Sequence, residues 1–147
     1  MAHALWAQVQ ALDGARVIDG DTLEVNGERH RLHGIDAPER GQTCTTASAS
    51  PWPCGQAAAD ALREHIAGRA VTCMANGRGR YGRLISVCRV GDEDLGRWLV
   101  KHGWAVAYRR YSKAYVADED DAREAQLGLW SGKFTLPWDW RKQRRTR

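Results

Sequence analysis

The sequence has no long apolar run. Its apolar stretches are short, so none could cross the roughly 30 Å hydrocarbon core of a bilayer. It has no internal repeat and no long linker, so nothing marks a second domain. No two cysteines are spaced C-x-x-C, which argues against a zinc or thioredoxin-type motif. The start Met1-Ala2-His3-Ala4-Leu5-Trp6 lacks the basic residues and the apolar stretch of a signal peptide, so an exported form is expected to be the mature chain. Charge of one sign is also scarce once the end is set aside. The net charge is +4, yet the last seven residues hold Arg141, Lys142, Arg144, Arg145 and Arg147 and no acid. Without those five, 17 Lys and Arg remain against 18 Asp and Glu. The body is nearly neutral. The tail is expected to be a solvated, frayed terminus, although a basic tail also draws polyanions by releasing their counterions.

What is present fits one soluble domain. The chain has 147 residues, 27% of them charged, which is long enough to bury a core. A single domain over 1–147 is expected, with a core at about 15–130 and a basic, Trp-containing tail at about 131–147. The four cysteines are Cys44, Cys54, Cys73 and Cys88. Cys73 and Cys88 flank a Gly-rich turn, and a hairpin centred near Arg80-Tyr81 sets them opposite one another. Cys44 and Cys54 close a short loop rich in Ser, Thr and Pro. The expected pairs are therefore Cys44–Cys54 and Cys73–Cys88, one of three connectivities. Two disulfides would imply a periplasmic or secreted protein, whereas four free thiols would fit a cytosolic one.

Residues 15–25 read as a strand running through Asp19-Gly20-Asp21. Asn26-Gly27 is a hairpin turn, and residues 29–35 read as the returning strand. Residues 36–53 are irregular, broken by Pro38, Gly41, Pro51 and Pro53. Ala58, Leu62 and Ile66 recur at i+4, giving a helix over 56–67 ended by Gly68. A second helix is expected over 94–102, burying Leu95, Trp98 and Leu99, then a short strand at 104–108 and a third helix over 116–127. The acidic run Asp118-Glu119-Asp120-Asp121 reads as a solvated helix start. Short strands with few helices suggest an α+β, mainly β protein: a five-stranded Greek-key barrel of the OB type with about three helices.

Three segments carry chemistry: Asp19-Gly20-Asp21, Arg31 to Glu39, and Arg80-Tyr81-Gly82-Arg83. Asp19 and Asp21 alternate with Leu23 and Val25, which places them on the inward strand face. Buried carboxylates need a cation, a proton or an arginine. The Asn26-Gly27 hairpin would bring Asp36 across from Asp21, and two hard oxygen donors suit Ca²⁺. Ordinary turn hydrogen bonds explain Asp-Gly-Asp equally well when it is taken alone. Arg31 and Arg83 offer planar forks for phosphate, although a strand arginine can also serve a salt bridge and an arginine-rich turn can simply be exposed. Glu39 is free to hold a water. Metal, carboxylate and two guanidiniums are the parts that phosphodiester hydrolysis needs.

In order along the chain, these segments resemble the thermonuclease, or staphylococcal-nuclease-like, family. The likeness runs from about Ala15 to Trp130. It is carried by Val17-Ile18-Asp19-Gly20-Asp21-Thr22, by Arg31 with Asp36-Ala37-Pro38-Glu39, and by Arg80-Tyr81-Gly82-Arg83. Leu99-Val100-Lys101-His102-Gly103-Trp104-Ala105 and Glu124-Ala125 with Gly128-Leu129-Trp130 complete it. The resemblance implies an OB barrel that cleaves DNA or RNA with Ca²⁺, leaving 3′-phosphate and 5′-hydroxyl ends. It implies Asp21 and Asp36 as calcium carboxylates, Ala37 as a backbone-carbonyl ligand and Glu39 as general base. Arg31 and Arg83 would bind the phosphate, Asp19 would stand behind the metal, and Tyr81, Tyr108 and Tyr111 would lie beside the nucleotide. Two departures stand out: the Cys44–Cys54 loop next to Glu39, and Arg109-Arg110 beside Tyr108. Trp138 and Trp140 are expected to pack the tail onto the barrel. The rival readings are a catalytically silent OB-fold nucleic-acid-binding module and a structural disulfide-bonded domain. A monomer is expected.

Overall fold

The computed structural model describes residues 14–145, with the Tyr81 side chain outside that description. Met1 to Trp6 and Arg147 lie outside the described residues. β1 (Ala15–Asp19) and β2 (Thr22–Val25) form an antiparallel hairpin, and β2 pairs with β3 (Glu28–Leu32). Asn26 at φ 51° and Gly27 at φ 80° make the tight turn between β2 and β3, the conformation that Asn-Gly favours.

The expected continuous strand over 15–25 is therefore two strands. Asp19 pairs with Thr22, so Gly20-Asp21 is the tip of a turn. Glycine at position 20 lets that turn pack closely on the neighbouring chain. A Cβ on Gly20 would stand 2.9 Å from the Ala37 Cβ and 3.0 Å from the Ala58 Cβ. The expected return strand over 29–35 also divides. After β3 the chain turns at His33-Gly34 into β4 (Ile35–Asp36), which pairs with β10 (Val106–Ala107) in a separate two-stranded sheet.

β5 (Cys44–Thr45) and β6 (Pro51–Trp52) form a small hairpin inside the Pro-broken loop. Helix α1 (Cys54–Ile66) follows. β7 (Thr72–Arg78) and β8 (Leu84–Val90) form the second long hairpin, with β9 (Glu93–Asp94) on the far side of β8. The main sheet runs β1-β2-β3-β8-β7, with β3 parallel to β8. This is an OB-like Greek-key order in an α+β chain. Among the described residues it is an open sheet, with no pairing that closes it between β7 and β1.

α2 (Leu95–Lys101) is capped by the Asp94 carboxylate, which accepts from the Arg97 N–H at 3.2 Å. α3 (Val116–Glu124) follows. Its acidic start is not wholly solvated. Glu119 is buried, accepts from the Ala107 N–H at 2.9 Å and pairs with Arg109 at 3.0 Å. The main core gathers Leu23, Leu32, Ile35, Leu62, Leu95, Leu99 and Val100. Trp98 is only half-buried; it stacks between His65 and His102.

Both expected disulfides are formed, Cys44–Cys54 and Cys73–Cys88, and the latter joins directly opposed strand residues. As far as Arg145 the tail is ordered onto the domain rather than frayed. Thr45 and Lys133 exchange two backbone hydrogen bonds at 2.8 Å, and Gln42 Nε2 donates to the Thr135 carbonyl at 2.8 Å. Phe134, Leu136 and Trp138 pack against a second apolar cluster built on Cys44, Cys54, Val106 and Leu129. Buried Pro137 then opens a fourth helix, α4 (Pro137–Arg145). Proline suits the first helical turn, and basic side chains in the last turn suit the helix dipole.

Candidate active site

The Gly20-Asp21 turn, strand β3 and strand β4 meet at one end of the sheet. The Leu32 N–H donates to the Asp21 carbonyl at 2.9 Å, and the Ala37 N–H donates to Asp21 Oδ2 at 2.9 Å. These bonds seat Asp21 against both strands. Asp21 Oδ1 also accepts from Thr22 Oγ1 at 3.0 Å. The link between Asp21 and Asp36 is Arg31, not a direct pairing of their two strands. Its Nη1 lies 2.8 Å from Asp21 Oδ2 and its Nη2 lies 3.1 Å from Asp36 Oδ1. The first contact is an ion pair without hydrogen-bond geometry, so among the described residues Nη1 is a buried donor with no hydrogen-bond acceptor.

Glu39 follows two residues after Ala37, and its backbone is fixed by α1. A Cβ on Gly55 would fall 1.6 Å from the Glu39 carbonyl oxygen, so only glycine permits that approach. Gln42 Oε1 accepts from the Glu39 N–H at 3.2 Å. Asp19, Asp21, Arg31, Glu39 and Arg83 all line one groove of about 1200 Å³. Arg83 stands at the end of the β7–β8 turn. Its Nε donates to the Arg80 carbonyl at 3.4 Å, and among the described residues it forms no ion pair. Tyr108 and Tyr111 line the groove too, edge to face at 5.0 Å.

Sequence reasoning missed Arg141. From α4 it places Nη2 2.8 Å from Asp36 Oδ2, and Nη1 3.0 Å from Asp36 Oδ1 and 2.8 Å from Glu39 Oε1. Trp138, on the same helix, stacks on Tyr108 at 4.9 Å and 14°. The signal available was Pro137 ahead of a basic stretch, which marks a helix start but not its docking.

Burial pushes the Asp36 carboxyl up to about 6, opposed by the hydrogen bond from Arg141. Burial, with the charges of Asp21 and Glu39, likewise raises Asp19 to about 6. The guanidiniums of Arg31 and Arg141 are raised despite burial, because the surrounding carboxylates favour their charge. Three carboxylates (Asp21, Asp36 and Glu39) are thus contacted by two guanidiniums, with Asp19 close enough to feel the charges of Asp21, Glu39, Arg40 and Arg31. The carboxylates outnumber the guanidiniums that contact them, and their all-oxygen donor set fits a hard divalent cation. Among the described residues the one tight three-donor cluster lies elsewhere, at His30, Cys73 and Cys88. Its two sulfurs are joined in the disulfide, so it offers no thiolate.

Residues 29–132, well over half of the chain, match the family model described as "Staphylococcal nuclease homologue". The chain belongs to the staphylococcal nuclease homologue family. The chain is 37% identical over 133 residues to the succinoglycan biosynthesis protein ExoI of Rhizobium meliloti, an alignment covering 88% of this chain and 70% of that protein. It is 33% identical over 137 residues to an uncharacterized endonuclease of Escherichia coli O157:H7, covering 88% and 83%. It is also 33% identical over 137 residues to the staphylococcal-like nuclease CAN1 of Arabidopsis thaliana, covering 90% and 39%. Within the staphylococcal nuclease match fall Arg31, Asp36, Ala37, Glu39 and Arg83. Asp19, Asp21 and Arg141 fall outside it and join the site only through the fold.

Proposed function

We propose that this chain is a Ca²⁺-dependent nuclease that hydrolyses phosphodiester bonds of DNA, RNA or both, leaving 3′-phosphate and 5′-hydroxyl ends. One observation carries the reading. Arg31 lines one groove with Asp21, Glu39 and Arg83, and it bridges Asp21 to the buried Asp36. The nuclease names of relatives in Escherichia coli and Arabidopsis thaliana support it.

Asp21, Asp36 and the Ala37 carbonyl are the residues that would hold Ca²⁺, which when bound supplies charge neutralisation at the phosphate and orders a water. Arg31, fixed in orientation by its two carboxylates, lines the groove and offers its guanidinium charge to charge that gathers on the phosphate oxygens. Arg83, which forms no ion pair among the described residues, is free to clamp the same group. Glu39 orients the attacking water and takes its proton. As the water oxygen bonds to phosphorus, the bond from phosphorus to the 5′ oxygen breaks and that oxygen takes a proton from solvent, which gives the stated ends. Tyr108 and Tyr111 flank the bound nucleotide, and the aromatic surface suits single strands. Tyr81 is assigned to the same subsite on the resemblance alone. The two disulfides support residence in the periplasm or outside the cell.

The test is incubation of the chain with single-stranded DNA and with RNA, in Ca²⁺ and in EDTA. Cleavage to 3′-phosphate ends in Ca²⁺, stopped by EDTA, is expected. Binding with no cleavage in either would overturn the reading and favour the silent OB-fold module.

A further inference from the structure

Helix α4 reaches two subsites of the groove at once. Arg141 forks onto both oxygens of Asp36 and also holds Glu39. Trp138, three residues earlier, lies flat on Tyr108. Residues three apart share a helix face, so a single rotation or withdrawal of α4 would clear both contacts.

The contact at Asp36 is exclusive. Asp36 is fully buried, with Oδ1 taken by Arg31 and Arg141 and Oδ2 by Arg141. A divalent cation on those oxygens would stand against the Arg141 guanidinium at contact distance. Like charges that close, out of water, repel strongly. One of the two cations must leave. Each guanidinium touches two carboxylates, Arg31 those of Asp21 and Asp36 and Arg141 those of Asp36 and Glu39, but Arg141 is the more exposed, at 29% against 14%, and so is the one that water can take up.

We propose that Arg141 is an exchangeable resident cation: it fills the metal position in the metal-free protein, and the divalent ion displaces it. α4 is then a built-in plug that closes the metal and nucleotide subsites until metal arrives. This rests on the reading of Asp21 and Asp36 as the metal carboxylates. The plug stays tethered when it opens, because the Thr45–Lys133 bonds, the Gln42–Thr135 bond and buried Pro137 hold the chain ahead of the helix. The displaced guanidinium remains beside the groove, next to Lys142 and Arg145, which also line it. A nucleic-acid phosphate is the anion it can take up there. Release of Arg141 also frees Glu39 Oε1, so metal entry and exposure of the proton acceptor are one event.

Calorimetric titration of Ca²⁺, without nucleic acid, into the full chain and its Arg141→Gln and Asp21→Asn variants tests this. Arg141→Gln should bind Ca²⁺ about tenfold more tightly, because no resident cation is expelled. Asp21→Asn, which does not touch Arg141, should bind far more weakly. Unchanged or weaker binding by Arg141→Gln, with binding lost in Asp21→Asn, overturns the exchange and leaves the metal site standing. Unchanged binding by Asp21→Asn overturns the metal reading, and the exchange with it. Should Arg141→Gln not fold, the unmutated protein still decides. Its Arg141 Nε–H resonance, identified by its loss in Arg141→Lys, should move with the calorimetric midpoint as Ca²⁺ is added, and a resonance that stays in place overturns the exchange.

Discussion

Asp36 and His30 sit six residues apart and show opposite ways of burying a titratable group. Asp36 is compensated by two guanidiniums. His30 is buried on the other face of β3 from Arg31, with Nδ1 2.7 Å from Ser86 Oγ. Burial lowers the His30 pKa below its ordinary 6.5, opposed weakly by Glu28. A histidine depressed in the fold contributes stability that is present above its unfolded pKa and is lost as pH falls through the folded one. Proton NMR should therefore give His30 a midpoint below about 6.5. Denaturation of His30→Gln should lose less stability than the parent between pH 7 and pH 5. A His30 midpoint at or above that of a free histidine would contradict this. The residue types of the site were legible because Asp, Glu and Arg in that order serve few other chemistries. Their partners were not. Nothing in the sequence says that Arg31 bridges Asp21 and Asp36, since that depends on where three chain segments converge.

Asp19-Gly20-Asp21 shows why local pattern misleads at a functional turn. Asp19, Asp21, Leu23 and Val25 alternate as one strand would, yet Asp and Gly are also turn residues, and close packing on Ala37 and Ala58 decides for the turn. The tail was opaque for a related reason. Its charge dominates its composition, while the bonds that dock it come from Lys133, Thr135 and the second apolar cluster. The hairpin at Asn26-Gly27, the three expected helices and both disulfide pairs were legible because each has a short-range signal. Cys44–Cys54 ties the β5–β6 hairpin to the first turn of α1, beside the Gly55 contact that seats Glu39. Closing a loop of that size stabilises a fold by about 2–3 kcal/mol. The Cys44→Ala, Cys54→Ala double variant should lose about that much in denaturant unfolding. It should lose cleavage as well, through Glu39. Full stability in that variant would show that the cross-link constrains nothing.

Across the molecule, the groove is a product of assembly. The β1–β2 turn brings Asp21, β3 brings Arg31, β4 leads into Glu39, the β7–β8 turn brings Arg83 and α4 brings Arg141. Arg83 is the most revealing of these. It is partly exposed and bonded only weakly to the Arg80 carbonyl, so its removal should cost the fold little. The other groups hold each other, and replacing any of them confuses stability with chemistry. A guanidinium that stabilises transferring phosphoryl charge is worth about 10³-fold or more. The decisive measurement is kcat/KM on a single-stranded oligonucleotide in Ca²⁺ for Arg83→Ala against the parent, with Tm recorded on the same samples. The account predicts a fall of about 10³-fold or more at unchanged Tm. Cleavage by Arg83→Ala at the parent's rate would contradict it.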